Sequence, residues 1–293
     1  MKKRGLIEML MATFIWGSTP LMSVFSNLPS GVFVFFRVFF AFPFVFYFVI
    51  KRVQFKELLK KPFLPLFLSG IALGVNWIFF FWAVNVVDVA SAVSIYYLGP
   101  IFSTLLAIWF LKEDGNVYVY FSLVLALIGA FLAAGGVKFS KEIVIAFLAA
   151  VSYGLLGFFS KIATFYHRAI IVTFWQILIS MFLTAPFLWF ANWQFSSQAI
   201  FVSLIAGIIH TFLALLLWYD ALNYIKVSLS SVLQYLDIVF AIILAWIFLG
   251  QIPKTYQLIG AILIIISGVL ITFKELKYWN ESIGIWRRRE GSK

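Results

Sequence analysis

Long apolar runs separated by short polar connections follow one another along nearly the whole chain. A helix needs about 20 apolar residues to cross the hydrocarbon core of a bilayer, and ten runs approach that length. The predicted spans are 5–24, 32–50, 63–86, 89–111, 117–136, 143–160, 169–190, 199–222, 229–249 and 256–273. These runs lack the period-two alternation of a membrane β-barrel. The pattern therefore predicts an all-α integral membrane protein with ten transmembrane helices.

Composition agrees with this class and excludes several others. Hydrophobic residues make up 64% of the chain and charged residues 11%, whereas a soluble domain has about 25% charged residues. The chain has no cysteine, and its 2 histidines and 11 acidic residues show no metal-ligand spacing. No phosphate-binding G-x-x-x-x-G-K-[ST] motif is present. We therefore expect no metal, no cofactor, and no ATP-driven pumping by this chain alone.

Basic residues are strongly biased toward one side of the predicted membrane. Ten spans place both termini on one side, and that side carries 18 of the 22 Lys and Arg residues. The opposite side carries 3, and Arg37 lies within a span. Positive charge accumulates in cytoplasmic loops, so both termini are predicted to be cytoplasmic, in a multi-pass protein of the cytoplasmic cell membrane. Topology thus accounts for the net charge of +11 without a nucleic-acid partner.

An internal repeat relates the two halves of the chain. Residues 83–85, 97–100 and 111–113 match residues 221–223, 235–238 and 249–251, always with a shift of 138. Five helices form each copy, and because five is odd the second copy is inverted in the membrane. Inverted repeats place a solute site near the midplane and support alternating access. The predicted division is 1–136 for the first repeat, 137–273 for the second, and 274–293 for a basic cytoplasmic tail.

A diffuse set of motifs in the first half comprises Trp16-Gly17, Arg37, Leu98-Gly99-Pro100, Leu111-Lys112-Glu113 and Gly129. With the ten-helix, two-repeat plan, these residues resemble the EamA-type signature of the drug/metabolite transporter (DMT) superfamily. The resemblance covers almost the whole chain. It implies secondary transport of small organic metabolites through a central cavity between two five-helix halves, and it implies that the protein is not an enzyme.

The second repeat departs from this signature at one position of special interest. Asp237-Ile238 stands where the first repeat has Gly99-Pro100, and Gln251 replaces the closing Glu113. The fold does not require a carboxylate in place of a glycine. Asp237 is therefore predicted to reflect the solute of this particular protein.

Asp237 lies about eight residues into the ninth span, roughly 12 Å deep at about 1.5 Å per residue. That depth is near the midplane of a hydrocarbon core about 30 Å thick, where a charge is costly and marks a functional candidate. Ser230, Gln234 and Asp237 share one helix face, which should line an internal cavity. We expect Asp237 to bind solute or protons. The alternative is a structural carboxyl group neutralised by protonation or by Arg37.

Two further polar residues lie within predicted spans. His210 is near the middle of the eighth span, where an imidazole can relay protons or hydrogen-bond to a neighbouring helix; both interpretations stay open. Arg37 can clamp a carboxylate with its planar fork, but its place in the family pattern favours a structural charge. Glu8 and Asp220 lie near span ends and are predicted to be gate or rim residues.

Aromatic residues make up 20% of the chain, and most of them are expected to face lipid or pack between helices. A mid-span set is instead predicted to line the solute cavity: Trp16, Trp77, Tyr96, Tyr153 and Trp175, together with Asn76, His210, Gln234 and Asp237. Tyr96 is the repeat counterpart of Gln234. Aromatic faces around a carboxylate suit an organic cation, although an aromatic amino acid or a flat neutral solute would also fit.

Gly99 and Pro100 are predicted to interrupt the fourth helix, because proline removes a backbone hydrogen bond and permits a kink. The ninth helix lacks this pair and is predicted to be uninterrupted, so that the two halves need not move equally. Pro20 and Pro43 are candidates for bends in the first two helices. Gly99, Pro100, His210 and Asp237 are thus the predicted coupling or gating residues.

Together these features predict a secondary transporter that moves a small organic metabolite, either an organic cation or an amino-acid-like solute, by alternating access. Its expected partners are the solute, membrane lipids and protons as a candidate coupling ion, in a monomer or homodimer. The alternative is an accessory subunit or a lipid-acting protein without its own transport cycle. The polar stripe at mid-depth and the lack of a nucleophile–base pair argue against that alternative.

Overall fold

A computed structural model describes residues 2–86, 89–135, 140–190, 192–194 and 196–290. Within these ranges, ten helices are long and apolar enough to cross a membrane, and no strand occurs. The predicted ten-helix, all-α fold is therefore confirmed. The charge-based orientation of the termini stays a prediction.

Five of the ten spanning helices are unbroken. They are α2 (Ser30–Arg52), α3 (Leu64–Val86), α5 (Val117–Ala134), α6 (Ile143–Tyr166) and α10 (Thr255–Glu290). A short helix at Phe55–Leu58 follows α2.

The other five spanning helices are built from segments. They are α1 (Lys2–Gly17 and Thr19–Ser26), α4 (Val89–Tyr96 and Gly99–Leu111), α7 (Ala169–Thr184 and Phe187–Phe190), α8 (Ser197–Ile205, the π-helical Ala206–Leu213, and Ala214–Ala221) and α9 (Val227–Gln234 and Leu236–Leu249). The prediction of an uninterrupted ninth helix is therefore wrong, because α9 breaks at Tyr235 without a glycine or proline. A tertiary hydrogen bond from the Tyr235 side chain accompanies this break.

Proline lies just after two of the breaks rather than in them. The α4 break is at Tyr97 and Leu98, and Pro100 is in the first turn of the following segment. Pro20 has the same place after the break in α1. Proline suits a first turn because its backbone needs no donor there. Pro43 lies inside α2, which continues through it.

Glycines bring equivalent helices of the two halves into equivalent contacts. A Cβ on Gly17 of α1 would lie 2.6 Å from Phe240 Cβ in α9, and one on Gly154 of α6 would lie 2.4 Å from Phe102 Cβ in α4. Phe102 and Phe240 are separated by the repeat shift of 138 residues. The same close approach therefore occurs once on α4 and once on α9. The predicted boundary between the halves, at 136/137, lies outside the described residues.

Helices α5 and α10 cross at a pair of glycines. A Cβ on Gly129 would lie 2.7 Å from the Gly260 carbonyl oxygen, and one on Gly260 would lie 2.4 Å from the Gly129 carbonyl oxygen. Small residues permit such backbone approach, which drives helix association in a bilayer.

Two helices extend well beyond their predicted ends. Helix α6 continues to Tyr166 and includes Lys161, because the Lys161 ammonium group donates to the carbonyl oxygens of Leu222 and Ile225. The charge is thus satisfied by the end of α8 instead of by solvent. Helix α10 continues without interruption to Glu290 through residues predicted to form a separate tail. Residues 291–293 of that tail lie outside the described part of the chain.

Candidate functional site

The breaks of α4 and α9 meet each other between the two halves. The Tyr235 hydroxyl donates to the Tyr97 carbonyl oxygen at 2.6 Å, and the two rings lie 5.6 Å apart. The Tyr97 hydroxyl in turn donates to Asp237 Oδ1 at 3.0 Å. Asp237 therefore lies in the first turn of the segment after the α9 break, held by a side chain from α4.

A second group of polar and aromatic side chains adjoins this junction. The Tyr153 hydroxyl of α6 donates to Gln234 Oε1, and the Tyr153 ring stacks on Tyr96 with centroids 4.8 Å apart. The Tyr96 hydroxyl donates to Asn76 Oδ1 at 3.2 Å. Asn76 Nδ2 donates to the Ala149 carbonyl oxygen at 3.0 Å. Tyr96 and Gln234, the predicted repeat counterparts, thus both contact Tyr153.

Ser230 connects Gln234 to α8. Trp218 Nε1 donates to Ser230 Oγ at 3.1 Å, and Gln234 Nε2 donates to the same oxygen at 3.3 Å. Trp218 also forms an edge-to-face pair with Trp16, with ring centroids 5.5 Å apart. The polar face of α9 is therefore directed at α6 and α8.

The π-helical segment of α8 lies against the break of α1. Trp16 Nε1 donates to the His210 carbonyl oxygen at 3.2 Å, and Ser18 Oγ lies 2.8 Å from His210 Nε2. His210 is 4% exposed. π-Helical turns are rare and frequently occur at functional sites, which makes this segment part of the candidate site.

Arg37 and Trp77 extend the cluster onto α2 and α3. The guanidinium carbon of Arg37 lies 4.7 Å from the centre of the Trp77 ring. Both side chains are buried. In the part of the chain that the structure describes, no salt bridge joins Arg37 to Asp237, so the structural pairing considered from the sequence is not formed.

The structure separates one predicted site residue from the rest. Trp175 Nε1 donates to the Leu58 carbonyl oxygen at 3.0 Å, and its ring packs edge-to-face on Phe63. Trp175 therefore lies against the connection between α2 and α3, because α7 begins nearby at Ala169. Gly99 and Pro100 are buried, and a Cβ on Gly99 would lie 2.5 Å from the Tyr153 ring.

Sequence reasoning missed several residues of the cluster. Tyr97 and Tyr235 stand in the repeated motif itself, where the sequence indicates a repeat but does not state a contact between them. Their identical position in both copies was the signal that could have found them, since residues near a twofold axis meet their own counterparts. Ser18 and Trp218 carried no comparable sequence signal.

A cavity of about 720 Å³ opens at one end of the helix bundle. Its walls include Arg52 and Arg168, which belong to the side predicted to be cytoplasmic, and it reaches Phe212 and Leu213 in the π-helical segment of α8. Glu8 and Asp220 also line it. Arg4 forms salt bridges with both carboxylates, so these acidic residues lie at the rim of the cavity.

Comparison with known proteins identifies the family. The model of the EamA-like transporter family matches the chain twice, at residues 3–135 and 140–273. This chain belongs to the EamA-like transporter family. The resemblance inferred from the sequence motifs is thereby confirmed, and with it a multi-pass location in the cell membrane.

Several curated relatives match this chain over most of their length. The chain is 29% identical over 281 residues to the uncharacterized transporter YxxF of Bacillus subtilis (strain 168), covering 92% of this chain and 90% of the relative. It is 27% identical to the protein RarD of Salmonella typhi, over 88% of this chain and 90% of RarD. It is 25% identical to an S-adenosylmethionine uptake transporter of Rickettsia conorii, over 87% of each chain.

A solved crystal structure shares the fold of this EamA-like protein. It has a TM-score of 0.80 at 18% sequence identity and covers 95% of this chain and 99% of its own. Together with the family match, the named relatives show that the protein is a membrane transporter of small metabolites. Within the described ranges, no group of three or more His, Asp or Glu residues could hold a metal ion.

Proposed function

We propose that this EamA-like transporter moves a small organic solute bearing a cationic group by alternating access, and that the solute binds at Asp237. One observation carries the proposal: the Asp237 carboxylate of the second repeat receives its hydrogen bond from Tyr97 of the first repeat. A ligand at this carboxylate would contact both halves at once. A change in the relative position of the halves would therefore change the binding site.

The surroundings of Asp237 suit a cationic group. The rings of Tyr96, Tyr97, Tyr153 and Tyr235 lie in one connected set. Aromatic faces attract cations, and a carboxylate in a membrane interior is costly unless it has a function or a partner. An organic cation or an amino-acid-like solute would supply that partner. S-adenosylmethionine, named for the Rickettsia relative, carries a sulfonium cation and is one solute of this kind.

The remaining cluster residues are proposed to complete the binding site. Asn76, Gln234 and His210 offer polar atoms, and Trp16, Trp77, Tyr96 and Tyr153 offer aromatic faces. Trp175 is excluded from this set by its contact with Leu58.

Alternating access requires a conformational change around the site. The cavity lined by Arg52 and Arg168 would represent the opening toward the cytoplasm. The breaks in α4 and α9 leave points where the helices can bend, since the regular hydrogen-bond ladder stops there. Gly99 and Pro100 would act as part of the α4 hinge, where the Tyr153 ring packs against the glycine.

Protons are the proposed coupling ion. A carboxylate can bind a proton or a cationic solute, but not both together. Such a group would make protons and solute cross the membrane in opposite directions. Carboxylates inside membrane proteins commonly serve in such proton pathways. Asp237 would then be both the cation site and the coupling residue.

Binding and transport should be tested on the full chain. A ligand that binds the folded state raises Tm, so purified protein is titrated with tetraethylammonium, choline and S-adenosylmethionine. The compound with the largest effect is then followed in proteoliposomes with and without a pH gradient. We expect Asp237→Asn to abolish ligand stabilisation and gradient-driven transport, whereas the control Asp114→Asn, at an exposed side chain, leaves both intact. Unchanged binding and transport in Asp237→Asn would overturn the proposal.

A further inference from the structure

Arg37 is a buried charge in the middle of the proposed transport machinery. Its side chain is 6% exposed, and its guanidinium group extends from α2 to the face of Trp77 on α3. Removing a charge from water without a compensating partner is expensive in a protein interior and more so at membrane depth. The residue therefore needs either an internal partner or one that arrives with a ligand.

Four other cations of the chain have polar partners within the protein. The buried ammonium group of Lys161 donates to two backbone carbonyl oxygens, those of Leu222 and Ile225. Arg4, Arg168 and Lys226 form salt bridges with carboxylates near the ends of the bundle. Arg37 differs, because across the described ranges it forms no salt bridge and its Nε has no hydrogen-bond partner.

The contact with Trp77 does not occupy the N–H donors of Arg37. A guanidinium group that stacks on an aromatic ring is attracted through its flat face. Its N–H groups point outward in the plane of the fork, which matches the two oxygens of a carboxylate. The stack thus orients Arg37 and leaves donors available for an anion.

Arg37 also lies next to the residues proposed to bind the solute. Its carbonyl oxygen would be 2.7 Å from a Cβ on Gly207, which precedes His210 by three residues in the π-helical segment. Trp77, on which the guanidinium group stacks, directly follows Asn76, whose Oδ1 accepts a hydrogen bond from Tyr96. The Tyr96 ring also forms an edge-to-face pair with Tyr97, the donor to Asp237. Tyr96 therefore contacts the surroundings of Arg37 on one side and those of Asp237 on the other.

We infer that Arg37 binds the carboxylate of the solute while Asp237 binds its cationic group. The solute is then a zwitterion of the amino-acid type rather than a simple organic cation. This inference rests on the proposed function, since it assigns the second charge of the same site. It also makes Arg37 a substrate-binding residue instead of a structural charge.

Matched ligand pairs isolate the carboxylate. Each pair keeps the cationic group and changes the acid to a neutral group: glycine betaine with choline, L-phenylalanine with L-phenylalaninamide, and 6-aminohexanoate with 6-aminohexanamide. The three pairs also vary the distance between the two charges. Dissociation constants are measured by thermal shift on the purified full chain. We expect at least one acid to bind roughly ten- to a hundredfold more tightly than its neutral counterpart, as for a hydrogen bond to a charged group.

The deciding quantity is the ratio of the two dissociation constants within a pair. If Arg37 were only structural, its replacement would lower Tm but would leave this ratio unchanged. In Arg37→Gln this ratio should fall to about one, while Arg37→Lys should keep part of it. The control Lys254→Gln removes an exposed cation from the connection between α9 and α10 and should leave the ratio unchanged. A preference that persists in Arg37→Gln, or that no pair shows in the unaltered protein, overturns the inference.

The two proposals fail in different ways. If the cations bind through Asp237 while the acids gain nothing from Arg37, the proposed function stands and the zwitterion inference falls. If neither the acids nor their counterparts stabilise the unaltered protein, and S-adenosylmethionine does not either, both fall together.

Discussion

Tyr97 and Tyr235 occupy equivalent positions in the two repeats, 138 residues apart, and are hydrogen-bonded to each other. The Tyr235 hydroxyl donates to the Tyr97 backbone, but the Tyr97 hydroxyl does not reciprocate, because it donates to Asp237 instead. The carboxylate that replaces glycine in the second repeat therefore breaks the symmetry of this pair. One tyrosine supports the helix junction, and the other supports Asp237.

Tyr235→Phe should lower stability. The change removes the donor to the buried Tyr97 carbonyl oxygen at the α4 break, and a buried acceptor left without its partner costs about 1–3 kcal/mol. A fall in Tm of the purified protein would measure this. Tyr97→Phe keeps the bond between the two breaks and alters only the support of Asp237, so it should change cation binding more than Tyr235→Phe does. If the two variants changed Tm and cation binding equally, the separate roles assigned to Tyr97 and Tyr235 would be contradicted.

Glu113→Gln should destabilise the start of α9. The Glu113 carboxylate accepts hydrogen bonds from the backbone N–H groups of Val227 and Ser228, at 2.9 and 3.2 Å. A negative charge at a helix N-terminus stabilises it, and the loss of such a cap costs about 1 kcal/mol. The neighbouring Asp114 pairs with Lys226 through an exposed side chain. Asp114→Asn should leave Tm nearly unchanged, since exposed ion pairs contribute little.

Gly250→Ala and Lys112→Gly should have opposite effects on stability. Both residues end a helix in the left-handed conformation, with φ of 66° for Gly250 and 55° for Lys112. Nothing lies within 4 Å of a Cβ built on Gly250, so its replacement should cost about 1 kcal/mol from backbone conformation alone. Lys112→Gly should relieve up to about 1 kcal/mol. Thermal melting of both variants gives the sign of each change in Tm. A higher Tm for Gly250→Ala would contradict the left-handed backbone conformation at residue 250.

Gly260→Ala should separate α5 from α10. The added methyl group would meet the Gly129 carbonyl oxygen at 2.4 Å and the Ala133 nitrogen at 2.6 Å. Overpacking of this kind costs roughly 1–3 kcal/mol. Gly268→Ala, on the same helix, is the control because the nearest atom to its Cβ would be 3.6 Å away. A similar Tm for both variants would mean that the crossing can relax.

The candidate site could be predicted in part. Asp237 was found because a charge at membrane depth is costly and because the repeat shows glycine at the matching position. Tyr96 and Tyr153 are predicted from their mid-span positions, Gln234 from the helix face that it shares with Asp237, and Asn76 from its place beside Trp77. The structure brings these four side chains into one connected group. Trp175 has a similar depth by residue count, yet its indole turns to Leu58. Depth along a helix does not specify the direction in which a side chain points.

The breaks in the helices could also be predicted only in part. Proline marked the interruptions near Gly99 and Pro20, since its effect on the backbone is local. The break in α9 at Tyr235 and the π-helical turn at His210 have no such local cause. They coincide with hydrogen bonds to distant residues, Tyr97 and Ser18, which no nearby sequence feature announces.

The sequence by itself determined the ten spans, the two related halves and the family, because the bilayer imposes length and apolarity on each helix and the repeat is a property of the residue order. The tertiary structure decided which polar side chains meet. Tyr97 reaches Asp237 and Arg37 stacks on Trp77 through contacts between separate helices. Such contacts depend on how helices rotate and cross, and packing between small residues such as Gly17, Gly129 and Gly260 decides that rotation.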